Sequence, residues 1–474
     1  MEAQRKNREV HLRALCITLA IGAVIWFIPS PVDLQEKAWH LFAIFVATIV
    51  GFIIKPLPMG GVAILSITAV VLTGTLKLEE ALSGFQNTTI WLIVIAFFIS
   101  RGFIKTGLGN RIAYMFVKLF GRKTLGLSYS LLVSDLILSP AMPSNTARGG
   151  GIIFPIAHSL SRTFGSDPEN GTEKKVGSFL MQVSFQGVNI TSAMFMTAMA
   201  ANPLAATLAH NAGVTITWTD WALAAIVPGL ASLIVVPYFI YKVYPPEIKE
   251  TPAASEIATE KLKEMGPLKK SEWSMIMVFL LILALWIFGG KLGIDATTTA
   301  LIGLSVLLLT SVLTWNDVKK EEGAWDTLVW FASLVMMATF LNSLGMIPWF
   351  SHLMGTAVHG LPWIWALIAL ALIFFYSHYF FASNTAHVSA MYAAFLGVAI
   401  AAGAPPMLAA LLLGFIGNLF GCLTHYGSGP APVFFGSGYV PQDKWWLLGF
   451  SVSVIHLIIW GGIGGLWWKM LEIW

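Results

Sequence analysis

The sequence is poor in charge. Only 11% of its 474 residues are Asp, Glu, Lys or Arg, whereas 57% are hydrophobic. Soluble domains carry about a quarter charged residues, so this composition excludes an ordinary soluble protein. The formal net charge of +4 is small for a chain of this length and gives no indication of a nucleic-acid partner.

Cysteine is almost absent. The two cysteines, Cys16 and Cys422, both lie in apolar segments and form no CxxC pair. A disulfide framework and a cysteine-based metal site are therefore not expected, and we predict neither a metal nor a cofactor.

Common catalytic motifs are also missing. The sequence contains no GxSxG and no HExxH motif. The enzymatic alternative is an intramembrane hydrolase that uses Ser144 or Ser383 with His387 or His425. A serine nucleophile needs a positioned base and oxyanion donors. No such setting is evident, and we do not expect an enzyme.

Long apolar runs, in contrast, recur along the whole chain. Runs of about 20 residues are typical of transmembrane helices. We therefore predict an all-α polytopic membrane protein with about 11 transmembrane helices, the first of which is retained behind a short basic tail. The predicted spanning segments are residues 12–29, 39–54, 59–76, 89–103, 176–210, 218–241, 273–290, 297–314, 327–341, 406–422 and 445–468.

Two further apolar stretches differ from the rest. Residues 125–164 and 361–402 are each about 40 residues long and have Pro, Ser, Asn and Gly near the centre. Because one crossing needs about 20 residues, each stretch is too long for a single helix. We predict that each forms a re-entrant helical hairpin, with two full crossings as the alternative.

The two stretches contain the same tetrapeptide. Ser-Asn-Thr-Ala begins at Ser144 and again at Ser383, 239 positions later. At the same offset, GFQNTTIW (84–91) meets GAWDTLVW (323–330). Two matched blocks at one offset, with the order of elements kept, indicate an internal duplication.

Loop charges indicate that the two repeats are inverted. The segment before the first hairpin is basic, whereas residues 344–363, before the second, contain no Lys or Arg. The positive-inside rule then places the two segments on opposite sides and the N-terminus in the cytoplasm. Inverted repeats are typical of secondary transporters, with the substrate site near the midplane. The basic residues behind this prediction are Arg5, Lys6, Arg8 and Arg13 in the tail and Arg101, Lys105, Arg111, Lys118, Arg122 and Lys123 before the first hairpin.

The domain organisation follows from the repeats. Residues 1–38 hold the tail and first helix, 39–244 the first repeat with an inner hairpin, 245–272 a cytoplasmic linker, and 273–474 the second repeat with an outer hairpin.

The hairpin tips are candidate substrate sites. Ser, Asn and Thr cap helix N-termini well, and a helix N-terminus attracts anions. Two tips that face each other would suit a substrate with a carboxylate at each end. The alternative is that each motif simply caps a kinked helix. The predicted substrate-binding residues are Ser144, Asn145, Thr146, Ser383, Asn384 and Thr385.

A second broken element is predicted after each hairpin. Polar and small residues interrupt two apolar runs and would line the site or coordinate a cation through backbone carbonyls. Ordinary small-residue helix packing is the alternative. These residues are Gln186, Gly187, Asn189, Thr191 and Ser192 in the first repeat, and Gly417, Asn418, Gly421, Thr424 and His425 in the second.

The paired Ser-Asn-Thr motifs on opposing hairpins resemble the divalent anion:sodium symporter (DASS or INDY) family over nearly the whole chain. The resemblance implies a homodimer whose scaffold and transport domains are each built from both repeats. It also implies elevator-type movement and di- or tricarboxylates held by the motif residues. In sodium-driven members, oxygens near both motifs also hold the ions.

The residues after each motif depart from those members. Arg148 and His387 follow SNTA, and SNTARGGGIIFPI looks closer to the citrate/succinate and 2-oxoglutarate/malate antiporters. A charge near mid-bilayer costs roughly 2.5–3.5 kcal/mol, so a fixed Arg148 would favour movement of the loaded carrier over the empty one. His387 would add a pH-dependent charge. The alternatives are that Arg148 pairs with Asp135 on the other hairpin arm and that His378, His387 and His425 are structural.

We therefore expect an exchanger of C4 to C6 carboxylates such as succinate, malate, 2-oxoglutarate or citrate. Sodium-coupled uptake is the first alternative and an anion channel the second. We expect a bacterial plasma membrane location, no partner beyond substrate, lipid and a second copy, and Trp445 and Trp446 in an interfacial aromatic belt.

Overall fold

The computed structural model describes residues 10–357 and 362–474. Arg5, Lys6 and Arg8 of the basic tail, and Leu361 at the start of the second motif stretch, lie outside the described residues. Within those two ranges the chain is helical and forms no β-strand beyond one isolated bridge between Lys123 and Glu250. The predicted all-α class is confirmed.

Thirteen α-helices precede the second repeat, and a π-turn at Gly149–Ile153 joins α8 and α9 into one continuous helix. They are α1 (Leu12–Phe27), α2 (Glu36–Ile54), α3 (Met59–Leu72), α4 (Leu78–Ala81), α5 (Thr88–Thr106), α6 (Leu108–Phe120), α7 (Thr124–Leu138), α8 (Asn145–Arg148), α9 (Phe154–Thr163), α10 (Gly177–Met194), α11 (Ala201–Asn211), α12 (Trp218–Val243) and α13 (Pro252–Met265).

Eleven α-helices follow in the described part of the second repeat, and a π-turn at Ile459–Gly464 joins the last two. They are α14 (Lys270–Phe288), α15 (Ala296–Leu309), α16 (Trp315–Lys319), α17 (Glu322–Ser343), α18 (Met346–Ala357), α19 (Trp363–Tyr376), α20 (Asn384–Ala401), α21 (Pro406–Leu419), α22 (Ala431–Gly436), α23 (Gln442–Ile458) and α24 (Gly465–Met470).

Nine helical segments among the described residues are long and apolar enough to cross a membrane, and four shorter apolar helices accompany them. Three of the nine belong to the motif stretches, so the number of full crossings stays a prediction. The predicted span 176–210 is broken, as expected for this run, because α10 ends at Met194 and α11 begins at Ala201.

The repeats share one order of elements. In each motif stretch a first arm, α7 or α19, ends in a 3-10 turn at Ser139–Ala141 or Ser377–Phe380. The helix that leaves each tip then begins at Asn145 or Asn384, 239 residues apart. This arrangement is that of two helical hairpins.

The corresponding helices α5 and α17 run antiparallel. The turn before α5 packs Gly84 against the Ala332 carbonyl. Further along α5, the Phe98 ring lies 5.4 Å from that of Trp325, nearer the start of α17. Residue numbers therefore rise along one helix while they fall along the other, which is the relation that inverted repeats require.

The linker between the repeats packs along α6. Ser255 of α13 donates a hydrogen bond to the Lys118 carbonyl at 2.7 Å. Arg111, near the start of α6, forms a buried ion pair of 2.6 Å with Glu272 at the start of α14. These contacts hold the segment between the two repeats against α6, the helix that precedes the first hairpin.

Candidate functional site

Each motif serine caps the helix that leaves its tip. Ser144 has extended backbone (φ −114°), and its hydroxyl accepts from the Ala147 N–H at 3.1 Å. Ser383 does the same for Ala386 at 3.4 Å. The two tips are thus well-formed helix N-termini, and their remaining first-turn N–H groups have no partner within the helix.

The two tips meet in one cavity of about 180 Å³. All six motif residues line it, so the structure brings together every predicted substrate-binding residue. Asn145 and Asn384 are buried, whereas Thr146 is exposed to the opening. The remaining lining residues are Phe97, Pro143, Met199, Ala200 and Gly429.

No lining residue of this cavity carries a charge. Its polarity comes from the helix starts, the motif hydroxyls and the asparagine amides. The Asn145 amide nitrogen donates to the Met199 sulfur at 3.2 Å, and sulfur is a weak acceptor. The cavity therefore presents hydrogen-bond donors and two positive helix ends, which is a setting for an anion.

Arg148 does not line the cavity. Its side chain is fully buried, and its Nε lies 3.1 Å from Asp135 Oδ1. Asp135 also accepts a hydrogen bond from the Thr191 hydroxyl. The expected unpaired cation is therefore wrong, and pairing across the hairpin arms is what the structure shows. Because a lone buried charge is so unfavourable, a carboxylate on the adjacent arm is the natural partner.

The Arg148 guanidinium also ties two broken segments together. Nη1 donates to the carbonyls of Met142, just before the tip, at 2.5 Å and of Ala198, between α10 and α11, at 2.6 Å. Nη2 donates to the Ser192 hydroxyl at 2.9 Å. Arg148 thereby fixes the tip relative to the segment that supplies Met199 to the cavity wall.

His387 does not reach the cavity either. Its Nδ1 lies 3.0 Å from His378 Nδ1, and its Nε2 lies 3.1 Å from the Ser377 hydroxyl. His378 Nε2 lies 2.7 Å from the Gly427 carbonyl, which only accepts, so that nitrogen must donate. A neutral His378 then accepts at Nδ1 from His387, which in turn accepts from Ser377. This network satisfies both rings without a positive charge.

The predicted interruption at Gly187, Asn189 and Thr191 is wrong. All three lie inside continuous α10. Asn189 and Thr191 bond to carbonyls of their own helix, at 3.1 Å each, so their polarity does not break it. Gly187 is packed against Leu132, and an added Cβ would lie 2.6 Å from its side chain, which matches the small-residue packing alternative.

The break in the first repeat lies at residues 195–200 instead. Asn202, in the first turn of α11, donates to the carbonyls of Ser192 at 2.8 Å and Phe195 at 2.9 Å, where α10 ends. Sequence reasoning missed Asn202. The available signal was an Asn–Pro pair, Asn202 and Pro203, inside an apolar run.

In the second repeat the break falls nearer to its predicted place. α21 ends at Leu419, a 3-10 turn follows, and Thr424 and His425 lie in the irregular segment before α22. His425 is structural, because its Nδ1 accepts from Trp446 Nε1 at 3.0 Å. Trp445 is fully buried against Phe185, so its predicted place in an interfacial belt is wrong.

Several buried oxygens near this second break have no hydrogen-bond partner. They include Asn189 Oδ1, Asn384 Oδ1, Thr424 Oγ1 and Ser428 Oγ. Three of these residues surround Gly421, where an added Cβ would lie 2.8 Å from Asn189 Oδ1, 3.0 Å from the Asn384 amide and 3.2 Å from Ser428 Cβ. Unpartnered neutral oxygens are ligands that hard cations accept. No cluster of His, Cys, Asp or Glu among the described residues offers a transition-metal site.

Comparison with known proteins gives one family. The profile of the sodium:sulfate symporter transmembrane region matches residues 9–474. A putative malate transporter, YflS of Bacillus subtilis, is 70% identical over 99% of this chain and 98% of its own length. The chloroplastic dicarboxylate transporter 1 of Spinacia oleracea is 55% identical over 98% of this chain and 82% of its own length.

Two further similarities extend the comparison. The inner membrane protein YbhI of Escherichia coli is 40% identical over 97% of this chain and 98% of its own length. Among solved structures, the YdaH transporter of Alcanivorax borkumensis matches with a TM-score of 0.56 and 13% identity, covering 97% of this chain and 96% of that one. At that identity the likeness concerns the fold alone.

Proposed function

The chain belongs to the divalent anion:sodium symporter family, and we propose that it moves small dicarboxylates across the membrane by exchange. Membership rests on the family profile and on the relatives described above. The chain is accordingly a multi-pass membrane transporter and not an enzyme. The names of its relatives, a putative malate transporter and plant dicarboxylate transporters, support the choice of substrate class.

The shared cavity between the two tips carries this proposal. Each helix N-terminus contributes roughly half a positive charge, so two opposed ends match the two carboxylates of one substrate better than a single carboxylate. The volume of about 180 Å³ is below the range of drug-sized sites, which favours small C4 to C6 acids. Malate, succinate, 2-oxoglutarate and citrate all belong to this class.

The expectation of exchange rests on how unfavourable it is for the carrier to move without substrate. Without an anion, two uncompensated helix ends would have to pass through apolar surroundings during the proposed elevator movement. Bound substrate neutralises them, so the loaded carrier moves more easily than the empty one. Arg148 is not the source of this bias, because Asp135 already pairs with it.

Fixed side chains support transport without sodium. In other secondary transporters, carbonyls of broken helices coordinate the driving cation. Here Arg148 already bonds the carbonyls of Met142 and Ala198, and His378 bonds that of Gly427. These donors hold the broken segments in place of an ion.

Sodium-coupled uptake is the second candidate function, and one observation favours it. The unpartnered oxygens of Asn384, Thr424 and Ser428 in the second repeat, and of Asn189 in the first, remain as ligands that a cation would find. This alternative predicts that substrate binding between the two tips depends on sodium.

Further expectations complete the proposal. We place the protein in a bacterial plasma membrane, as a homodimer with its N-terminus in the cytoplasm. The inner-membrane name of YbhI supports the location. The basic segment that contains Arg101, Lys105 and Arg111 supports the orientation.

The test is flux in proteoliposomes. Purified protein is reconstituted with or without internal malate, and uptake of labelled malate is followed in sodium-free buffer. Exchange predicts rapid uptake only into malate-loaded vesicles, with no stimulation by sodium. Uptake into empty vesicles that strictly requires external sodium would reject exchange in favour of symport. Flux that does not saturate with malate would indicate a channel.

A further inference from the structure

A groove runs along the first three helices, away from the hairpin tips. α1 and α3 flank α2, and the groove of about 300 Å³ lies between them. Leu19 and Ala23 of α1 form one wall, and Leu65 and Ala69 of α3 form the other, with Ala47 of α2 at the base. Its lining is almost entirely apolar, as expected for a surface that faces acyl chains.

The groove opens into a polar box at the end of α1. Trp26 and Phe27 line both the groove and a second cavity of about 500 Å³, which also contains Glu36, Trp39 and His40. The rings of Trp26 and His40 stack with centroids 3.7 Å apart. The box therefore adjoins the groove at Trp26 and Phe27 and has aromatic walls.

Trp39 fixes the end of α1 that forms this box. Its Nε1 donates to the carbonyls of Ile25 and Ile28, both at 2.9 Å. The Ile28 carbonyl lies at the C-cap of α1, where the helix offers no N–H partner, whereas the Ile25 carbonyl also accepts from the Ile28 N–H. Because Trp39 supplies that partner, the box keeps its shape without help from a bound molecule.

The dimensions fit an amphiphile in one leaflet. The groove extends from Leu15 to Trp26, and 11 residues at about 1.5 Å each give about 16 Å. Half of the roughly 30 Å hydrocarbon core is about 15 Å. Tryptophans concentrate at the membrane–water interface, which places the box at the headgroup level.

We propose that this groove and box bind one phospholipid with an amine headgroup. An acyl chain fills the groove, and the headgroup ammonium donates hydrogen bonds to Glu36, whose side chain is 79% exposed and within 3.8 Å of His40. A choline headgroup has no N–H to donate, so the carboxylate selects a primary amine. α1 also has no counterpart in the second repeat, so the site is separate from the duplicated transport architecture.

A second copy of the chain is the other possible occupant, and the box argues against it. A transmembrane helix seated in the groove would take Glu36 out of water, with His40 at 3.8 Å as an ion-pair partner only when that ring is protonated, and an uncompensated buried carboxylate is strongly unfavourable. A lipid ammonium supplies that charge.

The test uses native mass spectrometry of the full chain with phosphatidylethanolamine or phosphatidylcholine. Ala23→Leu fills the groove, and Val24→Leu is its control on the outward face of the same helix. Glu36→Gln removes the carboxylate, and Asp33→Asn is its control in the preceding loop. Wild type and both controls should retain one phosphatidylethanolamine per protomer in preference to phosphatidylcholine.

Ala23→Leu should release both lipids. Glu36→Gln should reduce the preference for phosphatidylethanolamine by about two- to fivefold, as for one partly exposed ion pair. Equal binding of both lipids by wild type, or binding that neither variant alters, would overturn the proposal.

Cysteine cross-linking tests the second copy. Cys16 is exposed on α1, whereas Cys422 is buried and cannot form an intermolecular disulfide. Oxidation should leave the protein without a disulfide-linked dimer through Cys16. A covalent dimer that forms readily and is lost in Ala23→Leu would show a second copy in the groove and exclude the lipid.

Discussion

Removing one member of the buried Arg148–Asp135 pair should destabilise the protein far more than it changes substrate affinity. The structure gives Arg148 a structural environment: a carboxylate, two carbonyls and a hydroxyl surround its guanidinium. Arg148→Gln would leave Asp135 buried with only the Thr191 hydroxyl as a donor. Asp135→Asn would leave the guanidinium charge unpaired.

The loss of stability expected from each substitution follows from the burial of the pair. Breaking a buried ion pair on one side costs about 3–5 kcal/mol. The unfolding entropy is roughly 2.1 cal/mol/K per residue, so 474 residues give about 1 kcal/mol/K if unfolding is cooperative. Each single substitution should therefore lower the melting temperature by about 3–5 °C.

An ion pair at the end of the first motif stretch serves as the matched control. Arg162 and Asp167 also lie 3.1 Å apart, but the Arg162 side chain is 53% exposed. Exposed pairs contribute about 0–1 kcal/mol, so Arg162→Gln should shift the melting temperature by less than about 1 °C.

The assay is thermal unfolding in detergent together with malate exchange. In a double-mutant cycle, Arg148→Gln with Asp135→Asn should cost less than the sum of the two single changes, by about 0.5–3 kcal/mol. A normal melting temperature combined with a sharply raised KM in Arg148→Gln would refute the structural role and would make Arg148 a substrate ligand.

Two further predictions concern the cavity and a loop. Gly429→Ala should place a methyl group against the Thr146 hydroxyl. The variant should then lose one charge-assisted hydrogen bond from Thr146 to the substrate carboxylate, which lowers the apparent affinity for substrate by about tenfold or more. The control is Gly436→Ala, whose added methyl group meets nothing within 4 Å and should leave exchange unchanged. Equal kinetics for the two variants would contradict the need for a glycine beside the Thr146 hydroxyl. The hydrogen bond from Lys105 holds the pKa of Asp317 at about 2, below its ordinary 3.8. A depressed pKa stabilises the fold above about pH 4, and the contribution is lost as pH falls through 2. Wild type should therefore exceed Asp317→Asn in melting temperature more at pH 7 than at pH 3, and an equal difference at both pH values would contradict this.

The tips were predictable from sequence because their signal is local. Ser144 and Ser383 cap helices within the same tetrapeptide, and repetition at a fixed offset identified both tips as counterparts. A short polar motif that caps a helix needs no knowledge of distant contacts. The duplicated order of elements likewise follows from residues that are close in the chain.

The positions of the helix breaks and the partners of the buried charges were harder to predict from sequence, because they depend on contacts between distant segments. Asn189 and Thr191 look like helix breakers but bond back to their own helix, while the real break is set by Asn202. The direction of the Arg148 side chain depends on Asp135, and hydrophobicity alone could not decide between that carboxylate and the cavity.

The most direct test of the central claim is a structure of the protein with a bound C4 dicarboxylate. The account predicts one molecule between the tips, with one carboxylate within hydrogen-bond distance of Ser144, Asn145 or Thr146 and the other within reach of Ser383, Asn384 or Thr385. A substrate held by one tip alone, or bound away from both, would contradict it.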